Sequence, residues 1–276
     1  MDQTKLQMLQ DKARDLRIEA LKMIHAAKSG HPGGSLSIAD IIAVLYFDEM
    51  RVDANNPTWE DRDRFILSKG HTCPIWYAVL AEKGFFPKEE LATLRKLGSK
   101  LQGHPDMKKV PGIDMTTGSL GNGLGIGVGM AKAAKIDRKD YRVYVAVGDG
   151  EVQEGAIWEA AMSAAHYKLD NLVVIVDKNN LQVDGFVSEI MEIDPIDEKF
   201  KAFGFEVLNI DGHDIGQICE AFAKARQIKG KPTCIIAKTV KGKGVSYMEN
   251  VCAWHGTAPN DGQFAIAIKE LGGEKL

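Results

Sequence analysis

Apolar residues recur every three or four positions between Leu6 and Lys28, which is the spacing typical of an amphipathic helix. This helix is expected to end at the segment Ser29–Gly34, because a regular helix does not continue through a stretch so rich in glycine and proline. A second helix is predicted from about Ser37 to Met50, with Ser35 or Ser37 as its N-terminal cap.

Short apolar runs bounded by glycine or polar turns predict strands that alternate with further helical patterns. Strands that are apolar on both faces are typical of a parallel sheet covered by helices on both faces. We therefore predict a single α/β domain over residues 1–276. The predicted strands are Arg62–Ser68, Tyr141–Val147, Leu172–Asp177, Glu206–Ile210 and Cys234–Lys238, and the predicted helices are Cys73–Lys83, Lys88–Leu97, Gly121–Ala134, Ala156–Tyr167 and one that ends near Lys229.

Composition narrows the classes of protein that fit this pattern. The 276 residues include 35 Lys and Arg against 38 Asp and Glu, a net charge of −3 with no basic cluster, which argues against a nucleic-acid surface. No run of 18 apolar residues occurs, so no membrane-spanning helix is expected, and the charged N-terminal helix lacks the apolar centre of a signal peptide. The four cysteines are scattered, which favours reduced thiols and a cytoplasmic location.

Polar residues follow the predicted strands at the edge where a parallel sheet binds its ligands. Asp149 lies in a Gly-Asp-Gly turn after one strand, and Asn179 follows the next strand of the same βαβ unit. Carboxylate and amide oxygens suit Mg²⁺ or Ca²⁺, and the glycine turn offers backbone N–H groups to a phosphate. On spacing alone, it remains equally open that Asp149 only caps a helix and Asn179 only forms a turn.

Five of the seven histidines adjoin glycine, which places them in loops that a ligand can approach closely. Neutral imidazoles in such positions suit proton transfer and hydrogen bonds to hydroxyls or anions. Any one of them alone is more often an ordinary turn residue, but five together favour a site. The five are His31, His71, His104, His213 and His255, whereas His25 and His166 lie within predicted helices and are expected to be structural.

Six glycines lie between Gly118 and Gly129. Gly121, Gly125 and Gly129 fall on one face of the predicted helix, where close helix packing is sufficient to explain them. The residues before the helix offer bare backbone to a flat ligand. Neither a dinucleotide-binding glycine fingerprint nor a Walker lysine motif is present there. An alternative zinc site would use His71, Cys73, Cys252 and His255, whose wide separation and lack of a close cysteine pair disfavour it.

Eight motifs occur between residues 29 and 256, in the order SGHPGG, SKGH, LQGHPD, GSLGNGLGIGVG, GDGE, DKNNLQVDG, IDGHD and AWHG. Together they resemble the N-terminal, thiamine-diphosphate-binding domain of transketolases, and the resemblance covers nearly the whole chain. The spacing from GDG to Asn is shared by many thiamine enzymes, whereas GHPGG, SKGH and GHPD indicate transketolases much more specifically. The resemblance implies the thiamine-diphosphate-binding α/β fold.

The resemblance also implies how the cofactor is held. Asp149, Asn179 and the backbone carbonyl of Leu181 are implied as ligands of Mg²⁺, with Ca²⁺ or Mn²⁺ as alternatives, which holds the diphosphate. Gly150 would donate its backbone N–H to a phosphate oxygen. His71 and His255 are implied to border the cofactor or its diphosphate, and Gly118, Ser119 and Leu120 to pass the thiazolium and aminopyrimidine rings. Glu151 is a further implied cofactor contact.

The implied reaction is the transfer of a two-carbon ketol unit from a ketose (phosphate) donor to an aldose (phosphate) acceptor, as in pentose phosphate metabolism. His31, His104 and His255 are implied as catalytic residues that face the sugar hydroxyls and the proton transfers at the carbonyl carbon. One departure from the family is Ser119, which stands where its members usually have proline. Two other thiamine-dependent classes, deoxyxylulose-phosphate synthase and oxo-acid dehydrogenase components, remain alternatives, as does a catalytically silent cofactor-binding module.

The second departure concerns the length of the chain. A full transketolase continues into a pyrimidine-binding domain, which supplies the glutamate that activates the aminopyrimidine and most contacts to the sugar phosphate. The sequence is therefore expected to be inactive alone and to require a partner chain with that domain. Glu154 and Glu159 match acidic positions near the family's subunit interface. The resemblance implies a homodimer flanked by two partner chains, a heterotetramer.

Overall fold

The computed structural model describes residues 2–273 and is built around one sheet of five strands. Every adjacent pair of strands is parallel, which confirms the architecture predicted from the alternation of apolar runs and helical patterns. The strands are β1 (Arg64–Leu67), β2 (Val143–Gly148), β3 (Leu172–Lys178), β4 (Glu206–Asp211) and β5 (Thr233–Lys238), and their order across the sheet is β1-β2-β3-β5-β4.

Helices cover both faces of the sheet. Within residues 2–273 none of them is long and apolar enough to cross a membrane. These helices are α1 (Gln3–Ala27), α2 (Pro32–Ser37), α3 (Ala39–Val44), α4 (Cys73–Glu82), α5 (Asn122–Ile136), α6 (Gly155–His166), α7 (Val187–Ile190), α8 (Ile196–Ala202), α9 (Ile215–Gln227) and α10 (Asp261–Glu270).

Two apolar cores lie between the sheet and its helices, because successive side chains of a strand point to opposite faces. In β1, Phe65 and Leu67 pack into the core formed with α1, α3, α4 and α9. Ile66, between them, packs into the core formed with α5, α6 and α8. Both faces are therefore buried, which explains why these strands read as continuous apolar runs.

The second helix begins earlier than predicted. The predicted cap at Ser35 or Ser37 is wrong, because α2 starts at Pro32 with His31 as its N-cap residue. Proline suits the first turn of a helix, where the N–H that it lacks would have no partner. Ser37 instead donates its hydroxyl to the carboxylate of Asp177 at 2.6 Å. The remainder of the predicted helix is α3, followed by a π-helical turn over Leu45–Glu49.

Two other segments differ from the prediction. The predicted helix Lys88–Leu97 is only a 3₁₀ stretch, Lys88–Thr93, because little besides Leu91 and Leu94 is buried there to hold a longer helix. Helix α10 was not predicted, although Asn260 and Gln263 form a capping box at its start. It packs on α1 in a third apolar cluster that contains Leu21, Phe264 and Leu271.

Candidate active site

Asp149 and Asn179 lie in touching loops at the carboxyl ends of the neighbouring strands β2 and β3. Asp149 is 2% exposed, and one of its carboxylate oxygens accepts the backbone N–H of Gly150 at 2.8 Å while the other accepts that of Asn180. The Oδ1 of Asn179 accepts the backbone N–H of Leu181 at 3.2 Å. Asp149 therefore caps a short 3₁₀ turn and also binds the loop after the next strand, which brings it close to Asn179.

Lys241 is buried beside these oxygens, in the turn that follows β5. Its Nζ donates to the backbone carbonyl of Leu181 at 3.1 Å and lies 2.8 Å from Nδ1 of His255. Burial and the charge of the nearby Lys69 lower the pKa of Lys241 to about 8. A positive charge therefore already occupies the position next to the Leu181 carbonyl.

A buried carboxylate, that of Asp177, binds three polar side chains next to the site. Asp177 is fully buried and accepts hydrogen bonds from Ser37, Lys69 and Thr239. Burial opposes ionisation of this carboxyl, but the Lys69 ammonium and the donated hydrogen bonds hold its pKa below the usual value. Burial and the charge of Asp177 raise the pKa of Asp149 to about 7. A cation placed beside Asp149 would favour its ionised form.

Three of the predicted histidines form a compact cluster. The ring centres of His31 and His71 are 5.0 Å apart, and that of His255 lies 5.4 Å and 5.2 Å from them. Burial, together with nearby positive charge, lowers the pKa values of His31, His71 and His255 to about 4, 2 and 3. All three rings are therefore neutral near pH 7. The Nδ1 of His31 is buried and has no hydrogen-bond partner among residues 2–273, which leaves this atom free for a ligand.

His104 and the glycine segment line a cleft of about 760 Å³. The backbone of Gly118, with φ +153°, lies against the His104 ring, and a Cβ there would come to 3.0 Å from Cδ2 of that ring. Only glycine combines this conformation with so close an approach. Ser119 and Leu120, which follow, are exposed. His104 is near enough to His31 to contribute to the lowered pKa of that histidine.

Glu151 is buried between the loops rather than exposed in the cleft. It accepts the backbone N–H groups of Gly121 at 2.9 Å and Gly148 at 3.1 Å, and the hydroxyl of Ser68. Burial raises its pKa, although these donors work in the opposite direction. The carboxyl group therefore ties the ends of β1 and β2 to the residue before α5. Glu154 and Glu159 are both exposed.

The glycines of α5 do not all pack within this chain. A Cβ added at Gly123 would overlap the side chain of Ser68, and one added at Gly127 would overlap that of Val145 in β2. Nothing lies within 4 Å of a Cβ added at Gly125 or Gly129. Packing against the sheet therefore explains the glycines at 123 and 127 and leaves the face with the other two open.

The remaining sequence candidates lie elsewhere. Within the described residues no three His, Cys, Asp or Glu side chains group as a metal site, so the zinc alternative is not assembled. His25 stacks on Phe264 with ring centres 4.1 Å apart, as expected of a structural residue, and the ring of His166 packs edge-on against Tyr167. His213 lies at the end of β4 and does not join the cluster.

Residues 8–275 match the sequence model of a family described as transketolase, thiamine diphosphate binding domain. The chain belongs to the transketolase family. Two predictions are thereby confirmed. The chain is a thiamine-dependent transferase of this family, and it corresponds to the N-terminal part of a transketolase. The chain is 45% identical over 263 residues to the 6-deoxy-6-sulfo-D-fructose transketolase subunit of Clostridium sp. (strain MSTE9), with 95% of this chain and 96% of that subunit covered.

Three further transketolases or transketolase subunits are similar to this chain. An apulose-4-phosphate transketolase subunit of Phocaeicola vulgatus is 45% identical over 255 residues, covering 92% of this chain and 90% of that protein. Transketolase of Rattus norvegicus is 48% identical over 256 residues, but the match covers only 40% of its length. The solved transketolase of Campylobacter jejuni superposes with a TM-score of 0.93 at 36% identity, over all of this chain and 44% of that one.

Sequence reasoning missed several buried polar residues of this transketolase-family site. Ser37 was expected only as a helix cap, and the others lie at or after strand ends, among them the lysine of SKGH after β1 and Lys241 after β5. Their partners are distant in sequence, so local spacing does not reveal them. The missed residues are Ser37, Lys69, Asp177, Thr239 and Lys241.

Proposed function

We propose that this chain binds thiamine diphosphate through a divalent metal, with Mg²⁺ as the best match, held by Asp149, Asn179 and the backbone carbonyl of Leu181. Carboxylate, amide and carbonyl oxygens are the donors that Mg²⁺ and Ca²⁺ prefer. The raised pKa of Asp149 indicates a carboxyl group that a nearby cation would stabilise in its ionised form. The Leu181 carbonyl accepts from Lys241 and keeps a second lone pair for a metal. This set of oxygens beside a buried lysine is the observation that carries the proposal.

The diphosphate would lie among donors that the structure holds close together. We propose the ammonium of Lys241, the backbone N–H of Gly150 and the imidazoles of His71 and His255 as its contacts. Glu151 would support the cofactor through the backbone of the two loops that it joins. When bound, thiamine diphosphate supplies the nucleophilic carbon and the electron sink needed to break a carbon–carbon bond next to a carbonyl.

Three histidines would contact the sugar substrate. His31, His104 and His255 are proposed as catalytic residues, because a neutral imidazole can both donate and accept hydrogen bonds with the hydroxyl and carbonyl groups of a sugar. The unpartnered Nδ1 of His31 supports this role. Gly118, Ser119 and Leu120 would lie along the rings of the cofactor, since Gly118 packs against His104 and the two residues after it are exposed.

The reaction that we propose is ketol transfer from a ketose phosphate to an aldose phosphate. Two relatives are named for a sugar sulfonate and for a sugar phosphate, which supports an anionic sugar as substrate. Both are also named as subunits, which supports a partner chain; we propose that it carries the pyrimidine-binding domain and flanks a dimer of this chain. One family match over residues 8–275 supports a single domain, and free cysteines support a cytoplasmic location.

The metal assignment is tested by calorimetric titration of the full chain with thiamine diphosphate and Mg²⁺. Asp149→Ala and Asn179→Ala are each expected to weaken metal-dependent cofactor affinity by about tenfold or more, because each removes an oxygen ligand. Asn209→Ala, an exposed amide on β4, is the matched control and should bind like the unmodified chain. Unchanged affinity in Asp149→Ala would show that the ligand assignment is wrong.

The role of His104 is tested by steady-state kinetics of the assembled enzyme. His104→Ala is expected to raise KM for the ketose donor and lower kcat, while cofactor affinity changes little, because the ring lines the cleft rather than the metal loops. His166→Ala, on the far end of α6, serves as the control variant. Equal losses of donor and cofactor affinity would contradict a substrate-facing role.

A further inference from the structure

The motif Asp211-Gly212-His213-Asp214 takes no part in the proposed site, yet both ring nitrogens of its histidine are hydrogen-bonded. The side chain of His213 is 14% exposed, with Nδ1 2.7 Å from a carboxylate oxygen of Asp40. Its Nε2 lies 2.8 Å from the backbone nitrogen of Val240. The ring thus connects α3 to the turn that follows β5.

These contacts fix the tautomer of the ring. A backbone N–H can only donate, so Nε2 of His213 must accept from Val240 and carry no proton. The ring is then neutral, with its proton on Nδ1, which donates to Asp40. Burial opposes ionisation of Asp40, but Arg17, whose Nη1 is 3.2 Å from Oδ1, and the His213 hydrogen bond hold its pKa below the ordinary value. Asp40 therefore acts as an ionised acceptor that orients the imidazole.

The rest of the motif places the ring. Asp211 accepts the backbone N–H of His213 at 2.9 Å, and Asp214 caps α9 by accepting the N–H of Gln217 at 3.1 Å. A Cβ at Gly212 would lie 2.5 Å from Cγ2 of Thr239. Only glycine allows the motif to approach the turn after β5 so closely.

That turn carries Lys241. Two hydrogen bonds hold the backbone of the turn. The N–H of Thr239 donates to the carbonyl of Lys178 at 3.0 Å, and the N–H of Gly242 donates to the carbonyl of Gly33 at 3.0 Å. Between them, the N–H of Val240 is bonded to a side chain, that of His213. Val240 directly precedes the lysine whose ammonium reaches the Leu181 carbonyl, so the imidazole fixes the Thr239–Val240 peptide, one residue before that lysine.

We propose that His213 is a positioning residue for Lys241: the neutral ring, oriented by Asp40, holds the Val240 peptide and thereby the lysine that contacts the diphosphate. The inference rests on the proposed function, because it assigns Lys241 to the cofactor. His213 itself touches neither the metal ligands nor the histidine cluster. A ring that only fills space between α3 and β5 is the alternative to be tested.

Two substitutions separate these roles. His213→Asn keeps an amide donor where Nδ1 faces Asp40 but has no atom near Val240, whereas His213→Gln extends an amide oxygen far enough to accept from Val240. We expect the first to weaken thiamine diphosphate affinity by about tenfold or more and the second by only a few-fold. His25→Asn is the matched control, because it removes another His–Asp pair, 2.9 Å from Asp261, whose ring binds no backbone group of the site. It should leave affinity unchanged.

A readout independent of the cofactor is the nuclear magnetic resonance spectrum of the chain labelled with ¹⁵N in histidine rings and valine amides. The unmodified chain should show a neutral His213 with its proton on Nδ1, and the Val240 amide signal should move in His213→Asn and less in His213→Gln. A proton on Nε2, or His213→Asn binding the cofactor as the unmodified chain does, overturns the inference. If Asp149→Ala loses affinity while His213→Asn does not, only this inference fails. If the unmodified chain binds no thiamine diphosphate, the proposed function and this inference fail together.

Discussion

His71 lies within the histidine cluster, where burial and the charge of Lys69 lower its pKa to about 2. In the unfolded chain a histidine titrates near pH 6.5, so below that pH the unfolded state takes up a proton that the folded state does not bind. The stability that a neutral His71 provides is therefore complete above about pH 6.5. It is lost progressively as the pH falls toward the folded-state pKa.

His71→Gln should reduce this acid sensitivity. Between pH 6 and pH 4.5 the free energy of unfolding of the unmodified chain should fall more steeply than that of the variant, by about 1.4 kcal/mol per pH unit for one proton. Urea unfolding of the chain at several pH values measures both slopes. At pH 8 the ring is neutral in both states, so any difference there reports packing alone. Parallel slopes below pH 6 would contradict the assignment.

At the scale of single residues, the sequence predicts side chains whose immediate neighbours along the chain mark them. Asp149 and Asn179 follow strand ends in Gly- and Asn-rich turns, and His71 lies beside glycine. Lys69 and Asp177 were not predicted, because their role comes from each other across 108 positions of the chain. Such a pair has no signature in local spacing, since a lysine in a turn and an aspartate at a strand end are each ordinary alone.

At the scale of elements, α5 offers a matched pair of glycines. Gly127→Ala is expected to destabilise the chain by about 1–3 kcal/mol, because the new methyl group would overlap Val145 and force the helix away from β2. Gly125→Ala is the control on the open face of the same helix, where nothing lies within 4 Å. Alanine there should be neutral or stabilise the isolated chain by about 0.5–1 kcal/mol.

Urea unfolding at pH 8 measures both variants against the unmodified chain. An equal effect of the two substitutions would show that helix propensity, rather than contact with the sheet, decides the outcome. Self-association of Gly125→Ala, followed by sedimentation, reports separately whether the open face is used between two copies of the chain.

The strands and the longer helices were predictable because their apolar periods are long and unbroken. The start of α2 was not, because Gly33 and Gly34 are poor helix formers whose presence in the helix depends on tertiary contacts. A Cβ at Gly33 would lie 2.9 Å from Cγ of Lys241, a neighbour more than 200 positions away. Helix α10 had a local signal in its capping box, but its apolar residues form the unbroken run Phe264–Ile268 instead of a helical period.

At the scale of the whole molecule, the chain leaves apolar side chains uncovered close to Gly118 in sequence and at both ends of α7. Leu120 is 39% exposed, Phe186 46% and Met191 60%. Exposed apolar groups of this kind mark surfaces that associate with other chains.

In the proposed two-chain enzyme the chain alone is expected to show no ketol transfer, and addition of a chain with the pyrimidine-binding domain should restore it. Activity is followed with a ketose phosphate donor and an aldose phosphate acceptor, with Asp149→Ala plus the same partner as the inactive control. Full activity of this polypeptide without a partner would refute the two-chain proposal.

The order in which the site's residues occur along the chain has a consequence for synthesis. The ribosome delivers His31, His71 and Asp149 long before Lys241 and His255, and the third apolar cluster closes only when α10 reaches α1. Domains fold as their segments emerge, but contacts between distant segments form late because long loops must close first. The set of site residues is therefore incomplete in the nascent chain until His255 has been made. We expect the supply of cofactor to affect the folded domain rather than the growing chain.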